Sequence, residues 1–223
     1  MASASSDKKK TEVGSYFISN YPPFSQWNRD ELPDVHEALE CSPREQTPLG
    51  LYLHIPFCEK ACNYCDFHFS TSFKVKNQLI DCINKELAIR KNELLGEVRT
   101  IYFGGGTPSI LSKKELISIL NQIKTNYTVV KDVEITFECN PEDLSQNKLK
   151  ELIEAGVNRL SIGVQSFDDT VLKWMNRAHT SDKAIACIEL AQKIGFNNIS
   201  IDLIYGVPLF LNRNWRTDIE KAI

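Results

Sequence analysis

No apolar run in this chain of 223 residues approaches the roughly 20 needed to cross a bilayer, so no membrane span is expected. A charge excess is lacking as well. The net charge is -3 and no block of like charge is longer than Lys8-Lys9-Lys10, which leaves no general electrostatic pull toward nucleic acid. The first residues, MASASSDKKKTEVG, hold no hydrophobic segment, and with Asp7 and Glu12 among them they make a poor export or transit signal. That bears on the seven cysteines, because without an export signal a disulfide framework is not expected. Free thiols in a reducing, cytoplasmic setting are.

What is present begins with an ordinary balance, 42% hydrophobic and 25% charged residues, enough for one substantial core with an extension. Three cysteines then fall in one stretch, residues 51–69, LYLHIPFCEKACNYCDFHF, where a short apolar strand runs into a CxxxCxxC spacing. Cys58, Cys62 and Cys65 are too close together for unstrained mutual disulfides and read as metal ligands. Soft thiolates select iron-sulfur clusters, zinc or Cu(I), and three of them leave one position open. A structural zinc would close its shell with a fourth protein ligand, such as His54 or His68. A cluster iron would instead have room for a small chelating molecule.

Taken in order, the polar residues 1–14 predict a disordered tail. Residues 15–48, with YFISNYPPFSQW and a short helix expected at 34–40, read as an N-terminal extension of unknown role, and Cys41 within it carries no weight. From 49 to 223, short β-rich runs alternate with amphipathic stretches, the pattern of an α/β domain with a parallel sheet. Strands are expected at 51–55, 100–103, 132–138, 159–164 and 199–205, and helices at 75–95, 112–125, 145–154, 181–194 and 214–223. Ser112 and Ser145 are placed to cap helices, and Gly156 and Gly195 to end them.

Alternate side chains of a strand point to opposite faces. One parity is apolar in every predicted strand, from Leu53 and Ile55 through Ile101 and Phe103 to Ile201 and Leu203, and suits burial under helices. The other holds Tyr52, His54, Tyr102, Glu134, Thr136, Glu138, Ser161, Gln165, Ser200 and Asp202. In a barrel that polar parity points inward, where it makes sense around a ligand cavity; an open sheet with one wet face is the alternative. The candidate chemistry also gathers on one rim. The cysteines follow the first strand, Gly104-Gly105-Gly106-Thr107 the second, Glu138 ends the third, Gln165 follows the fourth and Asp202 lies toward the end of the fifth, which is where (β/α) barrels build their sites. The remaining Cys82, Cys139 and Cys187 read as small buried hydrophobes.

These motifs resemble the radical S-adenosylmethionine (SAM) superfamily, in which CxxxCxxC follows the first strand of a partial (β/α)6 barrel. Within it, YLHIPFC, YFGGGTPS, NRLSIGVQSF, the pair Asn176-Arg177 and IDLIYGVP resemble the group that contains coproporphyrinogen dehydrogenases and HemW-type haem chaperones, over residues 50–208. The resemblance implies a 4Fe-4S cluster on Cys58, Cys62 and Cys65, with SAM chelating the fourth iron. Electron transfer into the sulfonium would then release a 5'-deoxyadenosyl radical. It also implies a SAM pocket made by Tyr52, Tyr64, Gly105, Gly106, Thr107, Glu138, Gln165, Arg177 and Asp202. Read as plain structure, Tyr52 is a packed aromatic, Arg177 a surface ion pair and Thr107 with Pro108 the start of a helix.

One departure separates the relatives. Coproporphyrinogen dehydrogenases of this type carry a further cysteine two residues after the third, where this chain has Phe67, and the run CDF resembles the haem chaperones instead. The expected partners are therefore haem or porphyrin, an electron donor and a haem-accepting apoprotein, with a second SAM in doubt and oxidative decarboxylation not favoured. The chain stops at Ile223 inside an expected helix, so the core reads as incomplete at its C-terminus. A sixth strand and tetrapyrrole contacts would lie beyond it, and the fifth strand would be left as an edge prone to aggregation.

Overall fold

A computed structural model describes residues 48–93 and 96–223. The expectations for residues 1–14 and for the extension, its short helix and Cys41 among them, lie outside the described residues, Pro48 apart. Five parallel strands, β1 (Leu49–Ile55), β2 (Val98–Gly105), β3 (Val129–Cys139), β4 (Arg159–Gln165) and β5 (Ile199–Leu203), lie side by side in the order of the sequence. Between and after them run α1 (Lys76–Ile89), α2 (Lys113–Asn126), α3 (Gln146–Ala155), α4 (Asp169–Trp174), α5 (Ser181–Ile194) and α6 (Trp215–Ala222). A doubly wound sheet reverses its strand order in the middle. This one never does, and with right-handed crossovers that puts the helices on one face. Accordingly α1 packs on α2, α2 on α3 and α3 on α5, which makes the sheet an arc of a (β/α) barrel.

The helices form where sequence chemistry favours them. Ser112 caps α2 in a reciprocal box with Glu115, and Leu116, Ile119, Leu120 and Ile123 recur at helical spacing as its buried stripe. Ser145 and Thr180 cap α3 and α5, which end at Gly156 and Gly195, both with positive φ. Under these helices lies the apolar parity of the sheet: Ile55, Ile101, Phe103, Phe137, Leu160, Ile162 and Val164 are fully buried, and the Phe103 and Phe137 rings meet at 5.5 Å.

Several details differ from expectation. β1, β2 and β3 start earlier than their apolar runs, because their first residues still pair along the sheet at Leu49–Val98 and Val98–Val129. β5 stops at Leu203 rather than 205, since the chain then turns away through Gly206 at φ 73. α4 was not expected at all. It is six residues long, too short to show a period, and is held by Asp168 accepting from Thr170 and Val171 N–H and by buried Val171 and Leu172. Cys139 and Cys187 are buried as expected, but Cys82 is exposed. It lies two residues on from Ile80, about 200° around the helix from the buried stripe of Ile80 and Leu87. β1 and β5 are both edge strands.

Candidate functional site

The uncovered face of the sheet is layered by strand register. Tyr52 lies opposite Tyr102, Tyr102 opposite Thr136, and Thr136 opposite Arg159. One layer nearer the C-terminal ends, Glu138 lies opposite Ser161 and Ser161 opposite Ser200. The polar parity thus forms continuous rows, and a cavity of about 430 Å³ opens where they meet the loops that follow the strands. All the predicted site residues line it except Tyr52. Tyr52 is on the same face but 59% exposed, with its hydroxyl 2.9 Å from His54 Nδ1 and its ring 5.9 Å from that of Tyr102.

The cysteine loop is pinned at both ends. Phe57, 2% exposed, bridges to Ser70, while Cys58 N–H donates to the Ser70 carbonyl at 3.1 Å. Across the cavity, Asn63 donates through its backbone to Met175 O and through its side chain to Trp174 O, and Asn176 Nδ2 returns a bond to Ala61 O at 2.7 Å. Asn176 holds a left-handed φ of 61, a conformation asparagine tolerates better than most residues. This docking sets Cys62, Cys65 and Tyr64 beside Arg177.

Arg177 is the hub. Its Nη1 lies 3.5 Å from Cys62 Sγ and 3.4 Å from Tyr64 Oη, and its Nη2 donates to Asn140 Oδ1 at 2.7 Å and to the Gly163 carbonyl at 2.9 Å. Its Nε is buried without a partner among the described residues. Burial pushes the Tyr64 hydroxyl well above the usual tyrosine range, so it stays protonated. Burial also raises the Cys58 and Cys65 thiols, partly offset by a hydrogen bond with Thr107 at Cys58 and with the Phe67 backbone at Cys65.

The glycine run supplies close approach. A methyl group on Gly106 would lie 2.7 Å from Phe57 O and 2.8 Å from Cys58 Sγ, so only glycine lets the second loop lie against the first. Gly105, at φ 116, turns its N–H to Glu138 Oε2 at 3.1 Å, and Tyr102 Oη donates to Glu138 Oε1 at 2.7 Å. Burial raises the Glu138 carboxyl despite these two donors. Thr107 is 4% exposed and accepts from Asn140 Nδ2 at 3.3 Å.

Sequence reading missed Asn140, which joins Thr107 to Arg177. A signal was available, for it continues the parity of Glu138 by one step. It also missed Glu142, whose Oε2 lies 3.0 Å from Nδ1 of the buried His179. No pattern in the sequence pairs residues 37 apart across two loops.

Among the described residues no three Cys, His, Asp or Glu side chains gather closely enough to hold a single metal ion, but the three thiols line the same cavity. Neither His54 nor His68 is part of that wall, so the thiols meet no histidine there that would complete a zinc shell. Three thiols on one cavity wall, a glycine that brings the second loop against Cys58 and a buried guanidinium nitrogen without a partner among the described residues fit a cluster with an anionic, hydrogen-bonding ligand.

The model of the Radical SAM superfamily matches residues 52–220. The chain is 40% identical over 179 residues to "Heme chaperone HemW" of Lactococcus lactis, covering 80% of this chain and 46% of that protein. It is 36% identical over 185 residues to the Escherichia coli protein of the same name, covering 79% and 47%. Coproporphyrinogen III oxidase (HemN) from Escherichia coli superposes with a TM-score of 0.76 at 29% identity, over 92% of this chain and 47% of that one. The chain spans about half the length of the curated relatives it matches. No described helix is long and apolar enough to cross a membrane.

Proposed function

The chain belongs to the radical SAM superfamily, whose cofactors are a 4Fe-4S cluster and SAM, and from that footing we propose that residues 49–223 are the cofactor-holding core of a HemW-type haem chaperone. One observation carries the reading: the three thiols, Arg177 and the glycine loop share one cavity. Cys58, Cys62 and Cys65 would hold three irons, leaving the fourth for SAM. A reduced cluster with SAM bound supplies one-electron cleavage of a carbon–sulfur bond.

The residues around it have separable tasks. Gly105, Gly106 and Thr107 would receive the methionine part of SAM against backbone and hydroxyl. Glu138 and Asp202 offer carboxylates to an ammonium or a ribose diol, and Gln165 an amide. Arg177, already fixed by Asn140 and Gly163, has its Nε left to face a carboxylate. Tyr64, kept protonated, would pack beside cluster and SAM while excluding water. Tyr52 would act only from the lower row of the face.

Haem as the cargo is supported by the names of the relatives and by Phe67, which stands in the cavity wall where the dehydrogenase pattern has a cysteine. The finer partners, an electron donor and a haem-accepting apoprotein in the cytoplasm, belong to the same proposal. A second reading, coproporphyrinogen III oxidase, draws on the superposition with the Escherichia coli enzyme. Anaerobic loading of the chain with iron and sulfide, then addition of SAM and titration with haem, tests the proposal. The expected result is a cluster, SAM binding that requires it, and a shifted haem Soret band. Protoporphyrinogen formed from coproporphyrinogen III with SAM and dithionite would transfer the reading to the oxidase. A stable zinc protein that never takes up iron and sulfide would end both.

A further inference from the structure

Outside the cavity, Arg213 and Asp218 form a buried ion pair whose side chains are 4% and 3% exposed. Neither residue lines the cavity. A buried ion pair is weak evidence for stability, since its desolvation offsets much of its attraction. Where its remaining hydrogen bonds go is more telling. Asp218 Oδ1 accepts from Phe167 N–H and Oδ2 from Ser166 Oγ, both at 2.9 Å. Arg213 Nε donates to Asp218 Oδ2 at 2.7 Å, and the guanidinium also reaches the carbonyls of Ile204 and, at 3.4 Å, Gln165. The face of Trp215 lies 4.7 Å from the guanidinium carbon and fixes its plane. Three consecutive residues, 165 to 167, are thus gripped from outside the cavity.

The first of them is unusual. Gln165 closes β4 with φ 68, in the left-handed region that non-glycine residues rarely enter, and the pairing of β4 with β5 shifts register between Ile162 and Gln165. An irregular ladder does not hold such a residue by itself. Its carbonyl is instead held by Ile204 N–H at 3.0 Å together with Arg213. The result is that its side chain folds back over Gly163: a methyl group there would lie 2.8 Å from Gln165 Nε2, 3.5 Å from Asn140 Oδ1 and 3.6 Å from Arg177 Nη2. The amide sits among the cavity's polar groups yet makes no hydrogen bond among the described residues.

We propose that Arg213 and Asp218 are positioning residues that hold Gln165 in its left-handed conformation, so that its amide is presented to the ligand of the cavity. That this ligand is SAM rests on the function proposed above; the positioning itself does not. The pair acts through main chain, on a residue whose strain would otherwise relax and carry the amide away from Gly163.

Two readouts on the full chain separate the questions. The side-chain amide resonance of Gln165, assigned by its loss in Gln165→Ala, reports the position without any ligand. SAM affinity after anaerobic loading with iron and sulfide reports the consequence. Asp218→Asn and Arg213→Lys are expected to shift or broaden the resonance and to weaken SAM binding about tenfold at unchanged cluster content. In a Gln165→Ala background they should add less than about twofold, because the group they position is gone. An unmoved resonance, or full additivity, would overturn the proposal and leave the pair a purely structural contact. Should Asp218→Asn not fold, Arg213→Lys keeps a cation on the buried carboxylate and is read instead. A wild-type chain that loads a cluster but binds no SAM would remove the functional reading, while the resonance would still decide the positioning.

Discussion

Arg177 and Cys62, 115 residues apart in sequence, meet across the cavity with the guanidinium Nη1 3.5 Å from the sulfur. The same side chain spans to Asn140 and to Gly163, so one planar fork ties the cysteine loop to the ends of β3 and β4. A lysine carries the charge but not the fork. Arg177→Lys should therefore leave the Asn140 oxygen or the Gly163 carbonyl unmet and cost about 1–3 kcal/mol of stability. A urea titration of the cluster-free chain measures this, and iron content after loading should fall without vanishing. An unchanged midpoint with unchanged iron would mean that Arg177 joins nothing.

The thiols differ by place, and that makes a controlled comparison. Cys62 lies in the cavity wall, whereas Cys82 is exposed on α1 outside it. Cys62→Ala should abolish the brown absorbance of a reconstituted cluster, because two remaining thiolates leave a second iron open. Cys82→Ala should leave that absorbance and the iron-to-protein ratio as they were. If Cys62→Ala keeps a full cluster, the ligand set is wrong.

Two carboxylates four residues apart should respond to pH in opposite directions. Burial raises Glu138, so its contribution to stability is fully present below the unfolded value of about 4.3 and is lost as pH rises through its higher folded value. For Glu142 burial also disfavours the charge, but the hydrogen bond with His179 and the Arg177 charge outweigh it and hold the carboxyl low. Its contribution is present above the unfolded value and is lost as pH falls through the folded one. Relative to wild type, over an interval that spans the unfolded value of about 4.3, Glu142→Gln should lose stability as pH rises toward that value from below, and Glu138→Gln should gain it as pH rises above that value. Denaturant midpoints of the three cluster-free proteins across that interval check the signs; parallel curves would refute both.

Strand parity makes the layers of the uncovered face legible in the sequence, because apolar residues alternate with polar ones or glycine along the strands from Leu53 to Asp202. The same logic placed Glu138, Gln165 and Asp202 in one cavity. Tyr52 shows its limit: parity fixes the face and not the height along the strand, and Tyr52 lies one layer too low. Asn140, the Glu142 and His179 pair and the Arg213 and Asp218 pair were not legible, since each joins loops or helix ends whose meeting depends on tertiary packing. Cys82 departs from expectation because residue type alone suggests burial, while the helix turns that position toward solvent.

Two glycines of the cavity make the last test. A methyl group on Gly106 would meet backbone, Phe57 O at 2.7 Å and Phe57 C at 3.0 Å, as well as Cys58 Sγ. A methyl group on Gly163 would meet first the far end of a flexible side chain, Gln165 Nε2. Backbone next to a paired strand cannot step aside cheaply, but an amide can rotate. Gly106→Ala should thus cost about 1–3 kcal/mol and displace the Cys58 loop, lowering both melting temperature and iron content. Gly163→Ala should melt within about 0.5 kcal/mol of wild type and load its cluster normally, with the defect confined to ligand affinity. Thermal melts and iron and sulfide analysis of the two variants side by side distinguish these outcomes. A Gly106→Ala chain that loads as well as Gly163→Ala would show that the glycine loop does not set the place of Cys58.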